Sequence, residues 1–280
     1  MLRERRVSPI AVVFAYVVMG MFTVLAIYPI FWLVIQSFKT TTDFLTVSRF
    51  AFPTQWHFGN YPFVWRVGRF GMLLMNSVFY TVITTVFVVV LSLMAGFAFS
   101  KIKFNITPFL HGLFIIGILL TLQSILVPLF LMTAAVGLYN TRLGVLIPYI
   151  GLGLPMGVYL CTEFVKSIPN ELVESARIDG ASYLRTFFAI VLPMCVPVMA
   201  TLGIISFMGT WNEFILVQVL TASASIRTLP VGIASFAGAL ATDFSRQFAG
   251  LVIGLIPILI FYAAFGKQIT RGVAAGAVKG

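Results

Sequence analysis

Charge is what this sequence has least of. Only eight acidic residues occur among 280, and Asp, Glu, Lys and Arg together make up 9% of the chain. A soluble domain carries roughly a quarter. With 60% hydrophobic residues and a mean hydropathy of +1.05, the composition excludes an ordinary soluble protein and belongs to the membrane class. Cysteine is nearly absent too. Cys161 and Cys195 both lie inside apolar runs, where they read as small buried hydrophobes rather than a disulfide framework. With His57 and His111 the only histidines, no metal-ligand spacing exists. The sequence also lacks G-x-x-x-x-G-K-[ST], so it does not itself hold ATP by a P-loop. It lacks H-E-x-x-H and any nucleophile constellation, which counts against a membrane-embedded hydrolase. "GLGLPMG" at 151–157 has the wrong spacing for dinucleotide binding and sits within an apolar run. The net charge of +10 raises nucleic acid as a partner, but the basic residues form no patch; they flank the apolar runs, as at membrane edges.

What is there is a series of long uncharged stretches. No Asp, Glu, Lys or Arg occurs from Val7 to Phe38, Phe70 to Ser100, Phe104 to Thr141, Leu143 to Thr162, Thr186 to Asn212, or Gln247 to Gly266. Each exceeds or reaches the roughly 20 residues a spanning helix needs, so six transmembrane helices are expected. The third is placed around Phe109–Ala134, followed by a turn at "VGLYNT". "MLRERRVSPI" resembles the basic start of a signal peptide, but the apolar run behind it is too long and has no A-x-A-like cleavage site, so it reads as a retained span. "TLPVGIASFAGAL" is too broken by Gly, Ser and Pro for a further span and reads as a loop with a short interfacial helix. Gly153-x-x-x-Gly157 and Gly250-x-x-x-Gly254 permit close helix contact. Pro193 and Pro197, among other span prolines, predict kinks.

Orientation follows from the basic residues of the loops. With the N-terminus inside, Arg3, Arg5, Arg6, Lys101, Lys103, Lys166, Arg177, Arg185, Lys267, Arg271 and Lys279 are cytoplasmic. Lys39, Arg49, Arg66, Arg69, Arg142, Arg227 and Arg246 are outside. Eleven against seven places both termini in the cytoplasm. The chain then divides into residues 1–69, the first span with its outer loop, and residues 70–280, a core of five spans with a C-terminal tail.

One cytoplasmic stretch breaks the avoidance of charge: "ELVESARIDG", Glu171 to Gly180. Pro169 is suited to open a helix, Glu171 complements its positive end and Gly180 is suited to close it in the left-handed conformation. A helix over about 169–180 is too short to be stable alone in water. Leu172, Val173 and Ala176 form an apolar strip, Glu171, Glu174 and Ser175 a polar face, and Ala176 and Gly180 allow another surface to come close. A protein groove and the lipid headgroup layer are both open to such a helix; its acidic face favours the protein groove.

Glu174, Ala176 and Gly180, followed by Ile190, Leu192 and Pro193, resemble the signature E-A-A-x-x-x-G-x(9)-I-x-L-P of ABC importer permeases, with Ser175 in place of the middle Ala. "TWNEF" at 210–214, "TLPVGI" at 228–233 and the tail "RGVAAGAVKG" are similar to the carbohydrate-uptake branch, including the smaller permease subunit of maltose transporters. The resemblance implies an all-α integral membrane protein of the type I importer fold in a prokaryotic cell membrane. It implies sugar uptake, with ATP and Mg bound on separate subunits and no cofactor or metal held by this chain. The implied partners are a second permease subunit in a heterodimer, two ABC ATPase subunits, an extracytoplasmic sugar-binding protein and membrane lipid.

Carried over residue by residue, Glu171, Glu174, Ser175, Ala176, Asp179, Gly180, Ala181 and Ser182 form the ATPase-coupling segment, with Glu174 pairing to an Arg there. Tyr183, Leu184 and Phe187 join it to the fifth span, and Gly272–Gly280 reaches the ATPase dimer. Ala222, Ser223, Ala224 and Ser225, in the outer loop from Gln218 to Arg246, meet the binding protein. Asn76, Ser77, Thr81, Thr84, Thr85, Gln123, Ser124, Asn212 and Glu213 are polar candidates for the translocation path. No catalytic residue is expected. Two other readings are a permease of the same build for a glycerol phosphodiester or polyol, and a secondary transporter. The second predicts charged residues at span centres, which this sequence lacks.

Overall fold

The computed structural model describes residues 9–102, 104–236 and 243–277. Long apolar runs with no water to satisfy their backbone leave the helix as the only economical spanning form, and the described residues are helical with no strand. In order the helices are α1 (Pro9–Ser37), α2 (Thr41–Thr46), α3 (Asn60–Arg66), α4 (Phe70–Lys101), α5 (Thr107–Ile118), α6 (Leu122–Ala135) and α7 (Arg142–Lys166). They continue with α8 (Asn170–Ile178), α9 (Tyr183–Met194), α10 (Val196–Asn212), α11 (Ile215–Leu220), α12 (Leu229–Ser235) and α13 (Phe244–Ala277). α1, α4, α7 and α13 are long and apolar enough to cross a bilayer, and the count rises to six where each bent pair, α5–α6 and α9–α10, is taken as one span.

Two spans are sharply bent, the fifth where Pro193 and Pro197 predicted a kink and the third where no proline marked one. α5 and α6 meet at 107° across Leu119–Thr121. Thr121 is extended at ψ 145 and opens α6 as its N-cap, its hydroxyl 2.8 Å from that of Ser124. At the elbow Gly117 lies so close to Pro155 of α7 that an added Cβ would be 2.9 Å from the proline ring. The fifth span bends by 77° between α9 and α10. Here the cause is covalent: Pro193 and Pro197 lack the N–H groups that would bond back to residues 189 and 193. The chain answers with a π turn over Phe187–Val191, and the Leu192 N–H reaches Phe187.

The chain forms two compact units. The first comprises residues up to Phe70 with Ile233–Ile256. In it the outer loop after α1 is folded rather than loose. Asn60 donates to the Ser37 and Lys39 carbonyls at 2.8 and 2.9 Å, and Trp32 and Gln36 both donate to the Arg49 carbonyl at 2.9 Å. The Phe38 ring packs among Trp56, Phe58 and Tyr61. Lys39 is buried and donates to the Ser48 carbonyl at 3.1 Å. Burial holds its ammonium below the usual lysine pKa, with nearby Asp43 opposing the shift.

The second unit comprises Gly71–Gly232 and the chain from Pro257 onward. Its helices approach closely where the sequence supplies glycine. Gly153 lies against Val88, Gly157 against Ser92 and Leu202, and Gly96 against the backbone of Cys161 and Thr162. Cys161 and Cys195 are both free and buried in one apolar cluster with Val89, Phe97, Val165 and Phe187. A second cluster holds Tyr80, Tyr149, Leu216, Leu220 and Val231. α12 therefore corrects the expectation of an interfacial helix. Leu229 and Val231 are buried in protein, and Gly232 lets the helix close on Leu73.

Candidate functional site: a short polar helix and the loop at the opposite end of the second span

α8 occupies Asn170–Ile178, with Pro169 as its N-cap and Glu171 in its first turn. Its end is a closed Schellman motif: Gly180 has φ 78, its N–H donates to the Arg177 carbonyl at 3.1 Å, and the Ala181 N–H donates to the Ala176 carbonyl at 2.9 Å. Ser182 then caps α9 by accepting the Arg185 N–H at 3.2 Å. Arg177 seals the turn, donating to the Ala181 carbonyl at 3.1 Å with its guanidinium 4.3 Å from the Tyr183 ring centre. No unsatisfied turn is left between α8 and α9 to act as a soft joint.

The helix is also fastened to the spans. Val173 belongs to the same cluster as Ile168, Phe97 and Phe187. Lys101, the last residue of α4, donates to the Ile168 carbonyl and, at 2.7 Å, to the Asn170 side chain. Sequence reading treated Lys101 only as a flanking charge. Its role depends on a carbonyl 67 residues away, which no spacing signals.

The exposed face differs from the expected one. Glu171, Glu174, Ser175, Asp179, Gly180 and Ser182 are exposed and Ala181 is half-buried. Ala176, however, is buried against its own chain together with Val173, so it offers no approach to another surface. Leu172 is 40% exposed and Ile178 86%, so the outward face carries acids flanked by two aliphatic side chains. In the connection to the fifth span, Phe187 is buried while Tyr183 is 39% and Leu184 64% exposed. Of the motif's second half, Ile190 and Leu192 are half-buried and Pro193 exposed.

At the other end of α4, Asn76 and Ser77 are buried and spend their polar groups on the chain beyond α11. Asn76 donates to the Ser225 and Arg227 carbonyls, and Ser77 accepts the Leu229 N–H at 2.8 Å. Thr81, Thr84 and Thr85 have hydroxyls shielded from solvent and without a hydrogen-bond partner among the described residues. Gln123, Ser124 and Asn212 are exposed, Asn212 donating to the Met208 carbonyl. Glu213 is half-buried. It accepts the Tyr149 hydroxyl at 2.9 Å and the Leu216 N–H at 2.8 Å, holding the step from α10 to α11. The apolar cavity of about 430 Å³ beside the α5–α6 elbow is lined chiefly by Leu, Ile, Val, Pro and Gly, with Thr133 bonded back to its own helix. A polar solute has no partner there.

Three features stand together: four to six apolar spans, a fastened acidic helix at one end of the second span and an anchored loop at the other. The family model for the inner membrane component of binding-protein-dependent transport systems matches residues 1–274. The chain belongs to this family. It is a multi-pass cell-membrane permease of the ABC importer type, a transporter component and not an enzyme. It is similar to the trehalose transport system permease protein SugB of Mycobacterium tuberculosis, with 33% identity over 91% of this chain and 93% of that one. It is also similar to the diacetylchitobiose uptake system permease protein NgcG of Streptomyces coelicolor, with 31% identity over 91% and 85% of the two chains. In fold it matches a chain of a bacterial ABC transporter involved in the import of the acidic polysaccharide alginate. The TM-score is 0.79 at 24% identity, covering 94% of the permease and 98% of that chain. The tail of the permease continues α13 to Ala277; positions 278–280, like Arg3, Arg5, Arg6 and Lys103 of the basic count, lie outside the described residues.

Proposed function

We propose that this permease forms half of the pathway of a carbohydrate importer, pairing with a second, different permease subunit. ATP and Mg are held by two separate ATPase subunits, and α8 transmits their closure to the spans. Both termini lie in the cytoplasm, the C-terminal tail reaches toward the ATPase dimer, and Ala222–Ser225 meets a sugar-loaded binding protein outside. The observation that carries the coupling role is the closed, doubly fastened α8, which leaves Glu171, Glu174 and Ile178 facing outward. A helix so held moves its spans when it is gripped, and a loosely hinged one does not. Two relatives named for trehalose and diacetylchitobiose support the sugar class.

If Glu174 pairs with a cation in the ATPase cleft, Glu174→Lys sets two cations against each other. Breaking one partner of such a contact costs about 2–5 kcal/mol. Uptake should collapse while the permease still reaches the membrane, and reversing the cleft cation to Glu should restore a measurable part. Normal uptake by Glu174→Lys would exclude the docking role. Titrating the associated binding protein against a panel of sugars, polyols and glycerol phosphodiesters tests the solute class separately.

A further inference from the structure

The exposed tip Ala222–Ser225 hangs from side chains of other elements. Asn140, before α7, accepts the N–H groups of Ala222 and Ser223 at 2.9 and 2.8 Å and donates to the Ser223 hydroxyl at 2.8 Å. Its own N–H donates to the Leu220 carbonyl at 3.0 Å. Asn76 donates to the Ser225 and Arg227 carbonyls at 2.8 and 3.0 Å, and the Tyr80 hydroxyl donates to the Ile226 carbonyl at 3.1 Å. Beyond the single 3-10 turn over Ala224–Ile226, nearly every residue from Ala222 to Ile226 is thus anchored through its backbone by a side chain. Loops without such anchors are mobile, and a partner must order them on binding.

Asn140 also sits at φ 58, a left-handed conformation that Asn tolerates better than most residues. Both its backbone and its side chain therefore suit a single task. We propose that Asn140 is the positioning residue that preforms this tip for its extracytoplasmic partner. The assignment rests on the reading of Ala222–Ser225 as the binding-protein contact. Its chemistry separates cleanly by substitution. Asn140→Gly keeps the left-handed backbone and deletes all three side-chain bonds, whereas Asn140→Asp keeps the oxygen that accepts both N–H groups and loses only the donor.

The test uses the complete transporter in liposomes, with ATPase rate followed against the concentration of sugar-loaded binding protein. Asn140→Gly should raise the half-maximal concentration roughly five- to tenfold with the maximal rate within about twofold. Asn140→Asp should stay within about twofold of the unaltered transporter. Asn140→Ser, too short to hold both N–H groups, replaces the glycine variant if that one does not assemble. An unchanged half-maximal concentration in these deletions, or an Asp variant as impaired as Gly, overturns the assignment. Ala224→Glu, which leaves every Asn140 bond in place, separates the two readings. If it too leaves stimulation unchanged, the loop is not a partner contact; if it weakens stimulation while Asn140→Gly does not, only the role of Asn140 falls.

Discussion

Lys101 and Gly180 decide how α8 is held, and they do so by different physics. Lys101 is a cation at the end of an apolar helix, and it donates to the Ile168 carbonyl just beyond α7 while gripping Asn170. A charged donor to a carbonyl contributes about 1.5–3 kcal/mol. Lys101→Met should therefore lower uptake roughly tenfold or more while the ATPase still co-purifies, and Lys101→Arg should recover most of the loss. Full uptake by the Met variant would show that the apolar contacts of Val173 suffice. Gly180 acts through its backbone alone, because at φ 78 an added Cβ meets no neighbouring atom yet strains the left-handed turn. Gly180→Ala should cost about 1–2 kcal/mol, read as a lower melting temperature of the detergent-purified complex. Gly180→Asn should cost less, since Asn visits this conformation more readily; equal losses would place the effect in packing rather than in φ.

α4 is the element on which both ends of the site depend, and its path past α7 rests on missing side chains. A Cβ on Gly96 would lie 2.8 Å from the Cys161 carbonyl carbon and 2.9 Å from the Thr162 nitrogen. These are backbone atoms that cannot turn aside. The Ser100 hydroxyl donates to the Thr162 carbonyl at 3.0 Å on the same face. Gly96→Ala should thus part the two helices and destabilise the fold by about 1–3 kcal/mol, visible in thermal unfolding, whereas Gly112→Ala, with open space around it, should be neutral. An unchanged melting temperature in Gly96→Ala would mean that the helices are free to separate. The span count was legible because uncharged run length is a strong signal, and the Gly153/Gly157 contact because small residues at that spacing have few other uses. The fifth-span bend was legible in part, since Pro193 and Pro197 announce lost hydrogen bonds. The 107° elbow was not: Leu119 to Thr121 is as apolar as any helix interior and contains no proline, and Thr121 reads as an N-cap only once the helix is known to restart there. Ala176 was misjudged because a nine-residue helix does not say which of its small residues faces its own chain.

At the scale of the whole molecule, the side of the membrane that each docking element faces is constrained twice, by packing and by charge. From Asn76 to Lys101 α4 is one continuous helix, about 37 Å long at 1.5 Å per residue, more than the roughly 30 Å of a bilayer's apolar core. Asn76 holds the chain at Ser225 and Arg227, while Lys101 holds it at Ile168 and Asn170. With α4 crossing the bilayer, loop and polar helix are expected on opposite faces whichever way the permease is inserted. In the sequence the excess of Lys and Arg on one set of loops bears on the orientation alone, and nothing there signals the clamps, because both join residues far apart in the chain. With Cys161 and Cys195 replaced by Ala, single cysteines at Ser182 and Arg271 should react with a membrane-impermeant maleimide only in inverted vesicles. One at Ser223 should react only in intact cells. External labelling of Ser182 together with internal labelling of Ser223 would reverse the orientation and leave the structure standing. Labelling of both from the same side would mean that α4 does not cross the membrane at all, and would remove the basis for a machine that receives its sugar at one end of this helix and its ATP-driven motion at the other.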